Sequence, residues 1–406
     1  MDIIDSLLDD NKWQDFLAHK LTKSHLSKVE EASLIEFVEN KKYVDICKCI
    51  VASTYTFSIP KKTIINKSGS NKKRVVYSFL EAENMVLKFV SFCLYKYDNV
   101  FSPNTYAFRH NFTVKQAFLD LVRVDGVDSH YSYKIDISNY FNSIDISLLL
   151  PKLKHVLSDD IRLYDMLAQI LTLNKSMHND IVIEEARGVM AGTPLSTFLA
   201  NVYLMDLDWY FYNKGVVYAR YSDDIIVFSK NKDSLDIYKN YILDYVTKLN
   251  LVVNPDKVSF TSPYEKWDYL GFQYSSGNID LSSVTLKKIK DKIRRKARSI
   301  YRWKEKKCKE ALHAAKVLIR VFNNKFYRVE NTKTLSWCKW FFPVINTDTS
   351  LKIIDDYLLQ YIRYMYSGKF KKQNYNITYD TIKKLGYRSL VNEYYKHRKS
   401  VFNKDK

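Results

Sequence analysis

The chain has 406 residues, of which 46% are hydrophobic and 27% charged, a globular composition with length for two or three packed domains. Nine Gly and seven Pro exclude collagen-like and linker-rich architectures. The formal net charge is +19, a surplus that points to a polyanionic partner, nucleic acid before membrane.

Residues 1–55 read as helices. Ile3, Ile4, Leu7, Leu8 and Trp13 fall close to a 3.6-residue period, and Leu34, Ile35, Phe37 and Val38 repeat it. The N-terminus is acidic and lacks the basic stretch of a signal peptide. The five cysteines (Cys47, Cys49, Cys93, Cys308, Cys338) include no C-x-x-C pair and are odd in number, so reduced, structural thiols in a cytoplasmic protein are expected. Two β-branched runs around Ser68-Gly-Ser-Asn71 predict a hairpin over 63–77 with a basic tip of Lys67, Lys72, Lys73 and Arg74. Residues 81–97 return to a helical pattern. The longest apolar runs, near 85–94 and 199–212, are broken by Lys88, Asn201, Asp206 and Asp208, so no bilayer-spanning helix is expected.

From 131 to 229 the pattern alternates. A strand over 131–137 carries Asp136. Helices are expected over 145–157 and 197–212. Strands over 215–221 and 225–229 flank Ser222-Asp223-Asp224, a hairpin with a polar tip. Short β pieces follow near 258–260 and 269–274, and from 285 the chain reads as mainly helical. Residues 285–340 hold 19 Lys and Arg against four acids. Ile289, Ile293 and Ile300 interleave with the charges, predicting amphipathic helices with a cationic, phosphate-tracking face.

The carboxylates carry the chemistry. Asp223 and Asp224 at a hairpin tip repel each other, and with a third carboxylate they call for cations. Two divalent metals roughly 3.5–4 Å apart could clamp the attacking and leaving oxygens of a phosphoryl displacement. Hard Mg²⁺ suits such oxygens, with Mn²⁺ the alternative.

Tyr221-Ser222-Asp223-Asp224 resembles the Y-x-D-D box of reverse transcriptases. Asp136, in Asp-Ile-Ser-Asn-Tyr-Phe, resembles their first palm motif. Gly188–Leu204 resembles their G-x-P-x-S…L-A-N-x-Y-L segment. Asn254-Pro-Asp-Lys257 and Trp267-Asp-Tyr-Leu-Gly-Phe272 resemble the lysine motif and primer-grip turn. Phe101–Arg109 resembles the fingers motif that ends in arginine. These ordered motifs span roughly 60–280, about half of the chain. Within the family, Ala191–Asn201 and Leu385–Tyr395 resemble the bacterial defence-associated and abortive-infection reverse transcriptases.

The resemblance implies an α+β right-hand polymerase: an N-terminal helical segment (1–55), fingers and palm (56–280), a basic helical thumb (281–342) and a helical C-terminal extension (343–406). It implies an RNA-directed DNA polymerase that adds dNTPs to a primer 3′-hydroxyl, copying an RNA template, a dedicated non-coding RNA in antiphage defence, into a DNA product. Asp136, Asp223 and Asp224 would be metal ligands, with the Ile137 carbonyl, and Lys257 would protonate the leaving pyrophosphate. Lys72, Arg74 and Arg109 would bind the triphosphate, Phe141 would lie against the sugar 2′ position, and Gly192, Thr193 and Pro194 would wall the base. Leu270 and Gly271 would grip the primer, and Lys292, Arg294, Arg295, Lys296 and Arg298 would track nucleic acid. Where many members have Gln, this sequence has Gly188 after Arg187, so one pocket contact is missing or moved to Arg187. Without a Cys/His cluster after the palm, no zinc endonuclease is expected. Synthesis primed on a protein Tyr or Ser, or a silent RNA-binding scaffold, are the alternatives. The tail tyrosines (Tyr357, Tyr361, Tyr364, Tyr366, Tyr375, Tyr379) permit the first; three converging acids oppose the second.

Overall fold

A computed structural model describes residues 2–24, 26–66, 73–185, 188–328 and 336–402. It divides into two units, Met1–Glu265 and Lys266–Lys406. The mixed α+β class expected from the sequence is what the chain adopts. The break at Glu265/Lys266 differs from the boundaries expected at 55, 280 and 342.

The N-terminal helices belong to the first unit's core rather than forming a separate segment. Trp13, fully buried, is sandwiched between Tyr43 and Phe89 at ring separations of 4.1 Å. The Ile3 amide donates to Asp160 Oδ2 at 2.6 Å, and Arg162 pairs with Asp5 at 2.6 Å.

One sheet of this unit contains β1 (Lys61–Asn66), β2 (Lys73–Ser78), β4 (Lys175–His178) and β5 (Ile181–Glu184) in the order β2-β1-β4-β5. The turn of the expected 63–77 hairpin, with Lys67 and Lys72, lies outside the described residues. The β4–β5 hairpin was not foreseen, although its turn, Asn179-Asp180, takes φ +51° and +62°, the left-handed pair that two-residue hairpins need.

The sheet that matters most for function is antiparallel, in the order β6-β7-β3-β8. It consists of β3 (Tyr131–Asp136), β6 (Tyr218–Tyr221), β7 (Asp224–Ser229) and β8 (Ser259–Thr261). Ile135, Ile225, Ile226 and Val227 are fully buried. Helix Ser196–Asn213 runs through the core, with Leu199, Val202, Tyr203 and Leu207 inside. Tyr203 donates to the Leu249 carbonyl at 2.6 Å.

In the second unit, β9 (Trp267–Tyr269), β10 (Phe272–Ser275) and β11 (Asn278–Leu281) form a meander. Helix Thr349–Ser367 packs on β11, and helices Ser283–Lys306, Ala311–Tyr327 and Leu390–Phe402 pack on that helix. The expected thumb and C-terminal extension are one body because Ile293, Ala297, Leu318, Phe322, Ile354, Leu358 and Ile362 share a buried core. The tail tyrosines are partly absorbed by it: Tyr361 is buried and packs on Tyr357, Tyr364 and Phe370. All five cysteines are unbridged thiols. Among the described residues, no helix is long and apolar enough to cross a membrane.

Candidate active site

Asp136 ends β3 and stands directly across from Asp224, the first residue of β7. Asp223 lies in the two-residue link from β6. This register brings an oxygen from each of the three carboxylates within 4.8 Å of one another. Like charges opposite each other on neighbouring strands repel, and water does little to screen them because Asp136 is only 4% exposed. Burial, then the Asp136 charge, push the Asp223 carboxyl above its ordinary range. Burial first, then Asp223 and Asp136, push Asp224 up to about 7. Such a cluster is relieved by a proton or by a cation. One cation is already there: Lys257 donates to Asp136 Oδ2, from a 3₁₀ turn whose first amide is capped by Asn254 at 3.2 Å.

The backbone holds this tip. The Ile137 amide donates to the Asp223 carbonyl at 3.1 Å, and the Asn254 amide to the Asp136 carbonyl at 2.8 Å. Ser222 takes φ +62°, a conformation that costs a non-glycine residue about 1–3 kcal/mol. A buried network secures it. Arg220 and Asp208 are both fully buried and paired through two guanidinium nitrogens, at 2.9 Å from Nε and 2.5 Å from Nη2. The remaining Arg220 nitrogen, Nη1, donates to the Ser222 carbonyl and to Asn201 Oδ1, each at 3.2 Å. Asp208 also accepts from Thr105 at 2.7 Å and Tyr218 at 2.8 Å. The strained residue of the acid turn is thus gripped by an arginine whose charge is matched. Sequence reading missed Arg220, Asp208 and Thr105. The available signal was a charge inside an otherwise apolar run.

Phe141, the loop over 188–194 and strand β2 are joined to one another by backbone hydrogen bonds. Phe141, five residues after Asp136, is half-buried between Phe108 and Tyr140, at ring separations of 6.0 and 5.7 Å. Its carbonyl accepts from the Val189 amide at 2.9 Å. Gly188 has φ +103°, and a Cβ there would come within 2.7 Å of the Asn142 backbone, so only glycine fits. The loop continues through Gly192, which lies against Val76 of β2, and buried Thr193 to half-buried Pro194. The Tyr77 amide donates to the Ala191 carbonyl at 2.8 Å. Arg74 is exposed on the same strand. The structure therefore brings the Asp136 strand, Phe141, the 188–194 loop and β2 into one contiguous wall.

A family model described as reverse transcriptase (RNA-dependent DNA polymerase) matches residues 59–274. The chain belongs to the reverse transcriptase family. No curated protein matches it at a significant level. Among solved structures, it is similar to apo telomerase from Candida tropicalis truncated from its C-terminal domain, with 13% identity and a TM-score of 0.45, covering 56% of this chain and 55% of that one. It is also similar to telomerase from Candida albicans in complex with a TWJ fragment of telomeric RNA, with 12% identity and a TM-score of 0.46, covering 86% of this chain and 68% of that one. The chain thus spans little more than half of the length of the first of these.

One residue carried over from the reverse transcriptase motifs is held by the protein itself in this structure. Arg109 was expected on the triphosphate, but its side chain is 6% exposed and all its donors are engaged. Nε and Nη2 bind Asp98 at 2.9 and 3.0 Å, Nη1 binds the Ser102 and Thr105 carbonyls at 2.7 and 3.0 Å, and Nη2 also binds the Asp98 carbonyl at 3.0 Å. The fork that suits a phosphate suits a carboxylate equally well, and here it clamps the 98–109 loop. Lys72 and Arg187 lie outside the described residues.

In the second unit, Leu270 and Gly271 form the two-residue β9–β10 turn, with φ +51° and +92°. The Gly271 carbonyl accepts from the Ser282 amide at 3.0 Å and from Thr285 Oγ1 at 2.9 Å, which ties the turn to the first residues of the basic helix. On that helix Ile289, Ile293, Ala297 and Ile300 face inward. Lys292, Arg294, Arg295, Lys296 and Arg298 are exposed, and Arg294 pairs with Asp291 at 2.8 Å. Burial, then the neighbouring Lys292, push Lys325 down to about 8.

Proposed function

We propose that this chain is an RNA-directed DNA polymerase in which Asp136, Asp223 and Asp224 support dNTP addition to a primer 3′-hydroxyl. The observation that carries the reading is the convergence of three partly or fully buried carboxylates, with oxygens within 4.8 Å of one another, at a hairpin tip inside a reverse transcriptase family match. The donor set fits divalent metal. It is all hard oxygen, which suits Mg²⁺ and also Mn²⁺. Burial, then repulsion from Asp223 and Asp136, raises Asp224 to about 7, and the Lys257 ammonium on Asp136 stands where positive charge is wanted. The Ile137 carbonyl would complete the set. In extended backbone it points to the same side as its own N–H, which meets Asp223. Two such ions, when bound, supply charge stabilisation to the attacking and leaving oxygens.

The chain's own residues then have distinct parts. Lys257 would leave Asp136 when that carboxylate is otherwise neutralised and give a proton to the departing pyrophosphate. Arg74, with Lys72, would hold the triphosphate. Phe141 would lie under the sugar and exclude a 2′-hydroxyl, and Gly192, Thr193 and Pro194 would shape the base wall. Leu270 and Gly271 would steady the primer. Lys292, Arg294, Arg295, Lys296 and Arg298 would follow the phosphates of an A-form hybrid, read by shape rather than base sequence. The template would be a dedicated non-coding RNA and the setting bacterial antiphage defence. Support for this comes from the resemblance of Ala191–Asn201 and Leu385–Tyr395 to the defence-associated group. The test is extension of a primed RNA template with dNTPs and Mg²⁺, together with sequencing of nucleic acid that co-purifies. Template-directed DNA product supports the reading; RNA product, or none with intact acids, overturns it.

A further inference from the structure

A cleft of about 480 Å³ lies in the second unit, built by helices Tyr379–Lys384 and Leu390–Phe402. It falls outside residues 59–274 and coincides with the Leu385–Tyr395 segment, for which the polymerase chemistry has no use. We propose that this cleft binds a single-stranded segment of nucleic acid, with phosphates at Lys383 and Lys399 and bases on the Tyr379 and Tyr395 rings.

The charge is one-sided. Lys383, Arg388, Lys396 and Lys399 line the cleft against one acid, Glu393. Glu393 is already satisfied by Arg388 at 2.5 Å and Lys396 at 2.9 Å. Among the described residues, neither Lys383 nor Lys399 has a carboxylate within ion-pair distance. The rings are exposed yet fixed. Tyr395 is 51% exposed and donates to Asp348 Oδ2 at 3.0 Å. Tyr379 is 39% exposed and packs edge-on against Tyr387 at 6.2 Å. The floor is rigid: buried Asp355 accepts from Tyr387 Oη at 2.7 Å, Ser389 Oγ at 2.7 Å, and the Leu390 and Val391 amides at 2.9 and 3.1 Å. Rings already held in place lose little freedom on binding. Cations beside exposed aromatic faces are the chemistry of single-strand binding. A duplex keeps its bases stacked and would leave the rings idle.

The cleft and the acid cluster share no residue, so the two assignments fail separately. The full-length protein is irradiated with 5-iodouridine-substituted RNA and DNA oligonucleotides, and crosslinked peptides are mapped. Crosslinks at Tyr379 or Tyr395 are expected, with preference for RNA marking a template segment and preference for DNA a product segment. Tyr379→Ala weakens oligonucleotide binding by about tenfold. Lys383→Ala with Lys399→Ala reduces the log–log salt slope by about 0.7 per lysine. Both variants extend a short pre-annealed primer–template normally. Crosslinks and a salt slope indifferent to these residues overturn the proposal, as does displacement of the strand by free dNTP. Absence of primer extension by the wild type, with its crosslinks intact, contradicts the polymerase reading instead.

Discussion

Two buried groups of charge lie within a few residues of each other at the end of β6, and the chain treats them oppositely. Arg220 and Asp208 are fully buried and matched. Their carboxylate and guanidinium meet directly, and Thr105, Tyr218, Asn201 and the Ser222 carbonyl take the remaining bonds. Asp136 is buried and Asp223 and Asp224 are half-buried, and the three crowd like charges within 4.8 Å of one another, with Lys257 on Asp136. The difference teaches where the fold tolerates electrostatic tension. The support is neutralised completely, so that the tip above it can hold repelling acids in a strained turn without collapsing. Tension confined to the tip is what a cation-dependent reaction requires.

The comparison can be broken from either side. The largest effect is expected at the tip. Asp223→Ala with Asp224→Ala removes charge stabilisation worth several kcal/mol, so primer extension should fall by about 10³-fold or more while circular dichroism stays native. Retained polymerisation would contradict the assignment. Next is the support. Arg220→Met strands Asp208 in the core, which typically costs about 3–5 kcal/mol and should lower the melting temperature by roughly 6–20 °C. Arg220→Met with Asp208→Leu should recover much of that stability but little activity, because the grip on the Ser222 carbonyl is gone. Recovery of full activity would show that the grip is dispensable. A smaller effect is expected at the wall. Phe141→Val should admit rNTPs, narrowing a discrimination of about one to two decades that burial of an unpaired 2′-hydroxyl imposes. Equal use of dNTP and rNTP by the wild type would make Phe141 a packing residue. The smallest concerns Arg109, whose engaged donors predict that Arg109→Ala lowers the melting temperature but leaves KM for dNTP unchanged.

The acid tip was legible in the sequence because hairpin signals and motif order are local. Tyr221 to Asp224 is a single short turn, and Asp136 ends an apolar strand. The support was not legible. Asn201 and Asp208 read as interruptions of an apolar run, and nothing local says that Arg220, twelve residues on, or Thr105, about a hundred residues back, will meet Asp208. Arg109 shows the converse. Its motif position was found, but its role depends on Asp98 and three backbone carbonyls converging on it. The fold follows the same rule. Strands next to clear turns were found, whereas the four-residue strands β4 and β5 carried too little periodicity, and the depth of Trp13 needed Tyr43 and Phe89 to be seen.

The central claim is that the tip's repulsion is held for cations, and its pH dependence has a definite sign. Asp224 sits at about 7 when folded and near ~3.9 when unfolded. The folded state therefore holds the proton more tightly, and without metal, stability falls as pH rises from about 4 through about 7. The most direct measurement is the melting temperature at about pH 7.5, with and without Mg²⁺, of wild type and of Asp223→Asn with Asp224→Asn. The account predicts that, without Mg²⁺, the variant melts higher than wild type, and that Mg²⁺ raises wild type and leaves the variant unmoved. A variant that melts lower without Mg²⁺, or that gains as much as wild type when it is added, would contradict the account.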